Sequence, residues 1–407
     1  MLLTPRGWRR SGRVVLGLVS LLVLGATGYA WAQINRLDTG ITVADVIPPA
    51  AQVPTGTKAL TVDQNILLVG LDSRTDAQGN PLPQDLLDTL HAGSSGDGGD
   101  TTDTMIVVHI PAGGAAATAI SIPRDSYVDI AGGYGKHKIN AAYTYGRTNA
   151  SHSLSAKGVT GADLATQSDA AGATTAIQTV EKLTGLTINH YAAVNLAGFY
   201  SLSNAIGGVQ VCLNAPVHDT YSGANFPAGN VTLSGVQALE FVRQRHGLLN
   251  GDLDRIARQQ AFLSSMAKTV LGAGTLTSPS KLSSLIDAVQ GAVVIDKGWD
   301  ILDFAQQLQG MSSGSIDFVT IPIQSLSLLT PSDGDAVKVD PVQVRNFVQN
   351  VLAGPAGSTG TSDSPTSTTS STVASGDVNK VAQSVTTTNA PSTPTAPKVS
   401  TASGCVN

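Results

Sequence analysis

Charge and aromatic rings are both scarce in this chain. Of its 407 residues, 13% are charged and 4% aromatic. So few rings leave little on which unpaired bases could stack. A net charge of −5 excludes a general polyanion binder and points away from nucleic acid. Cysteine is scarcer still. Cys212 and Cys405 are the only two, and no CxxC occurs, which argues against a structural zinc site or a thioredoxin-like pair. In an exported chain these two could join in one disulfide. Alternatively, Cys212 packs as a small buried hydrophobe and Cys405 stays free in a mobile tail. HExxH is missing, and Gly132–Asn140, although glycine-rich, lacks the GxxxxGK[ST] spacing of a P-loop.

Against that background two concentrations stand out. The first is a basic cluster, Arg6, Arg9, Arg10 and Arg13, followed by the uncharged run Val14–Ala32. A run of about twenty apolar residues spans a bilayer as a helix, with its positive flank inside. The expected layout is a cytoplasmic tail (1–13), a single-pass anchor (14–32) and everything else outside the cell membrane. Ala30-Trp31-Ala32 also reads as a cleavage site, but a signal peptide's apolar core is shorter than this run. The second is FVRQRHGLLNGDLDRIARQQ (Phe241–Gln260), which holds Arg243, Arg245, Arg255 and Arg258, four of the thirteen arginines.

Residues 33–60 read as a polar, proline-bearing connector. Three short apolar runs then suggest buried strands: 65–72, 104–111 and 118–125. Helices are expected at 171–185, 194–208, from an N-cap at Ser234, at 252–272, 281–290, 301–309 and 341–352, with strands at 208–217 and 316–323. Alternation of this kind predicts one α/β domain over 61–353 with its sheet covered on both faces. The remainder, 354–407, is dominated by Ser, Thr, Pro and Ala and is expected to be disordered.

The arginines carry the chemistry. Arg243 and Arg245 share a face if extended, and Arg255 and Arg258, with Gln259 beside them, share a helix face away from the apolar stripe Ile256, Leu263, Met266 and Val270. Planar guanidinium forks match phosphate oxygens, and four together suggest more than one phosphate. A solvated helix face paired with Asp252 and Asp254 is the bland alternative. Asp72 closes the first strand and Asp103 precedes the second, so the two meet only if those strands run antiparallel. Together with a diphosphate they could hold Mg²⁺ (or Mn²⁺), which takes substrate oxygens readily. Arg74, Arg124 and Asp125 add charges to the same edge, and the glycine-rich stretch Gly132–Asn140 carries Lys138 and Asn140. His246 is either an acid or base or an ordinary loop histidine.

The ordered set LLVGLDSR, TTDTMIVVHI, ISIPRDSYVDI, KINAAYTYG and ALEFVRQRHGLLNGDLDRIARQQ resembles the LytR-CpsA-Psr family, its actinobacterial members most of all, over about Asn65–Leu352. That resemblance implies a mixed central β-sheet sandwiched between helices, with an apolar channel for a lipid chain. It implies transfer of a glycopolymer from a polyprenyl-diphosphate carrier to peptidoglycan. It also implies Mg²⁺ on Asp72 and Asp103 and diphosphate on Arg74, Arg124, Arg243, Arg245, Arg255 and Arg258. Lys138, Asn140, Asp125, Asp252, Asp254 and Gln259 fall on motif positions. Arg124, Arg243 and Arg245 are then expected to stabilise the reacting phosphoryl group, with Asp125 as base. The spacing between Asp72 and Asp103 is longer than in compact members. Arabinogalactan, teichoic acid and capsular polysaccharide all remain open as the polymer. So do a diphosphatase using water as acceptor and a non-enzymatic scaffold that binds the lipid phosphate.

Overall fold

In the computed structural model, residues 40–53, 61–94, 100–271, 279–301, 316–353 and 404–407 are described, together with Ala32 and Phe304. The basic tail, the apolar run up to Trp31, most of the helix expected at 301–309 and the stretch 354–403 lie outside the described residues. Among the described residues no helix is long and apolar enough to cross a membrane.

The apolar runs form strands because both of their faces are covered. The main sheet has seven, in the order β1 (Thr42–Ala44), β12 (Val293–Asp296), β7 (His190–Asn195), β2 (Gln64–Leu71), β3 (Thr102–Ile110), β4 (Ala117–Ser121) and β13 (Ile316–Thr320). It is mixed: β2 runs parallel to β7 but antiparallel to β3, and β4 runs parallel to β13. Leu67, Val69, Met105, Val107 and Ile120 point to one face, onto Ala173, Ile177 and Val180 of a helix. Their neighbours Leu68, Ile106 and Val108 point to the other, towards Phe318 and Leu263. A smaller sheet, β14 (Ser325–Leu329), β15 (Asp335–Lys338), β5 (Ser126–Ile130) and β6 (Gly135–Lys138), continues the chain beyond β4. Among the described residues, two hairpin-like pairs complete the strands: β8 (Val209–Leu213) with β11 (Gly229–Leu233), and β9 (Val217–His218) with β10 (Asn225–Phe226).

The helices are α1 (Gln84–Thr89), α2 (Ala142–Ala156), α3 (Gly161–Thr184), α4 (Leu196–Ala205), α5 (Gly235–Arg243), α6 (Asp252–Leu271), α7 (Pro279–Ala292) and α8 (Pro341–Leu352). The pair α2 and α3 covers the first face. They cross closely because both are glycine at the contact. A Cβ on Gly146 would lie 2.2 Å from Thr175 Oγ1, and one on Gly172 would lie 2.8 Å from the Tyr143 carbonyl. Helix α4 packs against α5 and α7 on the second face.

Several elements differ from expectation for local reasons. Strand β4 stops at Ser121, short of the expected 125, and Pro123 lacks the N–H that a ladder needs. Val194 belongs to β7. Helix α4 starts two residues later, where the Asn195 side chain accepts from Gly198 N–H at 2.7 Å. Ser234 sits at the N-cap of α5 but makes no capping bond; Ser203 Oγ accepts from Gly235 N–H instead, at 2.9 Å. Within the stretch read as a connector, β1 pairs with β12 as a sheet edge. Helix α2 and the first turns of α3 had no sequence signal, because small residues rather than large apolar ones make their contact.

The last residues also depart from the disorder expected of 354–407. Cys405 is bonded to Cys212, Val406 pairs with Leu213 beside β8, and Val406 N–H donates to the Cys212 carbonyl at 2.9 Å. The bond spans 193 residues of sequence. Closing so long a loop restricts the unfolded chain strongly, so Cys212→Ser is expected to cost about 2–5 kcal/mol. Urea unfolding of the variant against the oxidised wild type measures this.

Candidate active site

Antiparallel pairing of β2 with β3 satisfies the condition set by the sequence. Gly70 lies opposite Thr104 and Leu71 opposite Thr102, so Asp72 leaves one strand where Asp103 enters the other. Both carboxylates line one cavity of about 340 Å³. Its wall is the second face of the sheet, with Leu68, Gly70, Ile106 and Val194, closed over by Phe199, Leu239, Phe262 and Leu263 from α4, α5 and α6. At Gly70 a Cβ would sit 3.1 Å from that of Thr104. The polar groups of the same cavity include Asp72, Asp103, Arg124, Arg243, Arg245, Arg255 and Gln259, with Thr104 and Asn195. An apolar cavity that also presents guanidinium and carboxylate groups suits an amphiphile with an anionic head.

Each arginine has its own support. Arg243 is the last residue of α5, not part of an extended pair, and its Nη1 donates to the Leu90 carbonyl at 3.1 Å. Arg245 follows in the loop, with Nη2 3.6 Å from Asp252 and 4.0 Å from Asp125. Arg255 sits in the first turn of α6, 2.5 Å from Asp252 one turn earlier. Arg124 follows β4 and pairs with Asp103 at 2.5 Å. Burial alone would lower the Arg124 pKa, but Asp103 and Asp125 together raise it above the usual guanidinium value. Arg255 is lowered, because burial and neighbouring Arg124 outweigh the pull of Asp252.

The charged side of α6 is not the solvated face of the bland alternative: Arg255, Arg258 and Gln259 are each less than 10% exposed. Asp252 on the same helix offsets the burial of Arg255, and oxygens of Gln244 and Asn407 from other segments offset that of Arg258. Arg258 faces away from the cavity. Its Nη1 donates to Gln244 Oε1, its Nε donates to the Asn407 carbonyl, and its guanidinium lies 5.0 Å from the Phe241 ring centroid. Burial lowers its pKa to about 10, which leaves it charged at neutral pH.

Other expected residues stand at the margin. Arg74 pairs with Asp72 at 2.9 Å and donates to the Ala92 carbonyl at 3.0 Å. Lys138 reaches Asp125 at 3.5 Å. Asn140 contributes backbone: its N–H donates to the Arg124 carbonyl at 3.1 Å, and its carbonyl accepts from Thr102 Oγ1 at 3.3 Å. Asp125 lies between three cations, with Arg124 Nε at 3.8 Å. Sequence reasoning missed the turn Leu90–Ala92, whose carbonyls steady Arg243 and Arg74. It also missed the apolar wall, since a lining leucine has the same pattern as a core leucine.

Several buried polar atoms make no hydrogen bond: Arg124 Nε, Arg245 Nη2, Arg255 Nε and both Asp252 oxygens. Native interiors contain few such groups, and three of these are guanidinium donors beside one cavity. Donors of this kind suit an anion with several acceptor oxygens.

The chain belongs to the LytR-CpsA-Psr family, whose model matches residues 48–345. It is 44% identical over 352 residues to the cell wall biosynthesis protein LcpA of Corynebacterium glutamicum, covering 86% of this chain and 67% of LcpA. It is 31% identical over 236 residues to a polyisoprenyl-teichoic acid–peptidoglycan teichoic acid transferase, TagU, of Enterococcus faecalis, covering 58% of this chain and 62% of TagU. The match therefore spans about two thirds or less of these relatives' own lengths. The crystal structure of Bacillus subtilis TagV superposes with a TM-score of 0.51 at 24% identity, over 72% of this chain and 96% of TagV, and so shares the fold.

The two kinds of arginine are separable. Arg258→Ala leaves Gln244 buried without its donor and is expected to cost about 3 kcal/mol. Arg245, 39% exposed in its side chain, is expected to cost under about 1 kcal/mol on replacement by alanine. Chemical unfolding of the two variants side by side checks the contrast.

Proposed function

We propose that this chain is a cell-wall phosphotransferase that moves a glycopolymer phosphate from a polyprenyl-diphosphate carrier to a peptidoglycan hydroxyl, leaving a phosphodiester. The observation that carries this reading is the single cavity with an apolar wall and a cluster of arginines and aspartates. The prenyl chain occupies the space between the sheet and helices α4 to α6. The diphosphate meets Arg243 together with Arg124, Arg245 and Arg255, the last three of which keep donors that need acceptors. The name of the TagU relative, which joins a polyisoprenyl-linked polymer to peptidoglycan, supports the same substrates here. Residues 14–32 anchor the chain, with the domain outside the cell beside its lipid substrate.

The chemistry needs no external energy source, because the diphosphate bond is already activated. The acceptor oxygen forms a new bond to the polymer-bearing phosphorus while the bridging P–O bond breaks. Polyprenyl phosphate departs, and the hydroxyl proton goes to solvent or a nearby base. The arginines stabilise the non-bridging oxygens as charge builds on them. Asp125, the candidate base, lies within 4.0 Å of Lys138, Arg124 and Arg245 and also holds these three cations together.

Asp72 and Asp103 suit a divalent cation. They share one wall, and no cluster of three or more ligating side chains exists among the described residues. Mg²⁺ (or Mn²⁺) fits such a pair because it keeps several waters and takes substrate phosphate oxygens. When bound it would supply charge neutralisation to the diphosphate. Arg74 and Arg124, now paired with those carboxylates, would then be released towards the phosphates.

The test is a transfer assay with a lipid-diphosphate saccharide, peptidoglycan and Mg²⁺. Wild type is expected to form linked product, and Arg245→Ala to be slower by about a hundredfold or more. Chelation with EDTA is expected to abolish transfer, and Mn²⁺ to restore it. Phosphate release with no linked product would convert the reading to a hydrolase. Full activity in the Arg245 variant would remove the arginine cluster from the mechanism.

A further inference from the structure

The β9–β10 hairpin ends in a loop, residues 219–224, that carries Tyr221. This side chain is 79% exposed, yet the loop beneath it is firmly held. Asp219, 4% exposed, accepts from Tyr221 N–H at 2.9 Å and from Ser222 Oγ at 2.8 Å. Its own N–H donates to the Ala224 carbonyl at 2.8 Å, closing the loop. The Tyr221 ring stacks on His246, with centroids 4.0 Å apart and planes inclined by 26°.

His246 immediately follows Arg245, which lines the cavity. Its carbonyl accepts from Gln244 Nε2 at 3.0 Å, and its Nδ1 lies 3.9 Å from Asp219. Its side chain is 60% exposed. Two stacked rings therefore stand open to solvent one residue from a phosphate-facing arginine, and both rest on one buried carboxylate.

Leaving a ring exposed forgoes its burial, and fixing its loop costs conformational entropy. In a chain with 4% aromatics, a built and exposed pair beside the site calls for a partner. The pair offers a flat apolar face with polar atoms at its rim. Sugar rings are its complement, with C–H groups on their faces and hydroxyls at their edges. A lipid surface would use the apolar body of Tyr221 but would gain nothing from the stacked, polar-edged histidine.

We propose that Tyr221 and His246 form a platform on which a saccharide ring stacks beside the phosphate-binding arginines. This deepens the transferase reading and rests on it. The ring belongs either to the polymer on the carrier or to the acceptor glycan; the chemistry is the same. Neither residue touches the reacting phosphorus, so both are positioning residues, and their loss should raise KM for the sugar-bearing partner more than it lowers kcat.

The full-length chain in detergent is titrated calorimetrically with three probes: farnesyl diphosphate, farnesyl diphosphate carrying a disaccharide, and soluble uncrosslinked peptidoglycan glycan strands. Tyr221→Ala and His246→Ala are expected to weaken a sugar-bearing probe about tenfold, to leave farnesyl diphosphate within about twofold, and to keep the wild-type melting temperature. Tyr221→Trp is expected to retain binding. Loss confined to the glycan strands assigns the platform to the acceptor, and loss confined to the carrier-linked disaccharide assigns it to the donor. Equal sugar affinities in wild type and both alanine variants, or no sugar binding by wild type, overturn the proposal. So does a loss of sedimentation with phosphatidylglycerol vesicles at unchanged sugar affinity, which would mark a membrane contact. Failure of wild type to bind farnesyl diphosphate sinks the transferase reading separately, because that probe carries no sugar.

Discussion

Guanidinium groups can stand beside an apolar cavity only where carboxylates share their desolvation. In this fold Asp72, Asp103, Asp125 and Asp252 supply that compensation from four different segments. Much of the architecture serves to bring those segments together. Antiparallel β2 and β3 deliver two of the acids, the turn after β4 a third, and the first turn of α6 the fourth. Removing buried Arg255 would leave Asp252 without its nearest cation, and removing Asp252 would leave a buried cation. The buried members of the set therefore bear on stability as well as on the site.

The compensation is incomplete. Arg124, Arg245 and Arg255 each keep a donor atom that makes no hydrogen bond, and Asp252, although ion-paired with Arg255, accepts none. Elsewhere in the described chain, buried polar side chains mostly have partners. His190 and Tyr191 N–H share Asp296, for example, and Gln260 bridges Ser121 and Thr320. Outside the cluster Ser168 Oγ and Tyr191 Oη also lack a hydrogen bond, but most of the unsatisfied buried atoms of the described residues belong to the arginine cluster.

What could be read from residue order was the class of the fold, most of its long elements and the members of the charged cluster. Strands β2, β3 and β13 announced themselves through apolar runs, and α6 and α8 through helical periodicity. Three kinds of feature were hidden. Helix α2 packs through Gly146 and other small side chains that carry little hydropathy. Strand β1 has three residues and is defined by its partner β12, some 250 positions away. The inward turn of Arg258 depends on oxygens of Gln244 and Asn407, which the spacing within α6 does not report, whereas the Asp252–Arg255 pair is a contact inside the helix. Cys405 was similarly obscured, because its surroundings are those of a disordered tail while its partner lies on β8. Leu90 and Ala92 act through backbone carbonyls, to which residue type is nearly silent.

Gly70 has a wider implication. It lies in the cavity wall opposite Thr104, where even one additional carbon crowds its neighbour. A larger residue at position 70 would have to displace Thr104, the neighbour of Asp103 on the facing strand. The cost of such a change would therefore be felt at the acid next door, although the glycine itself carries no functional group.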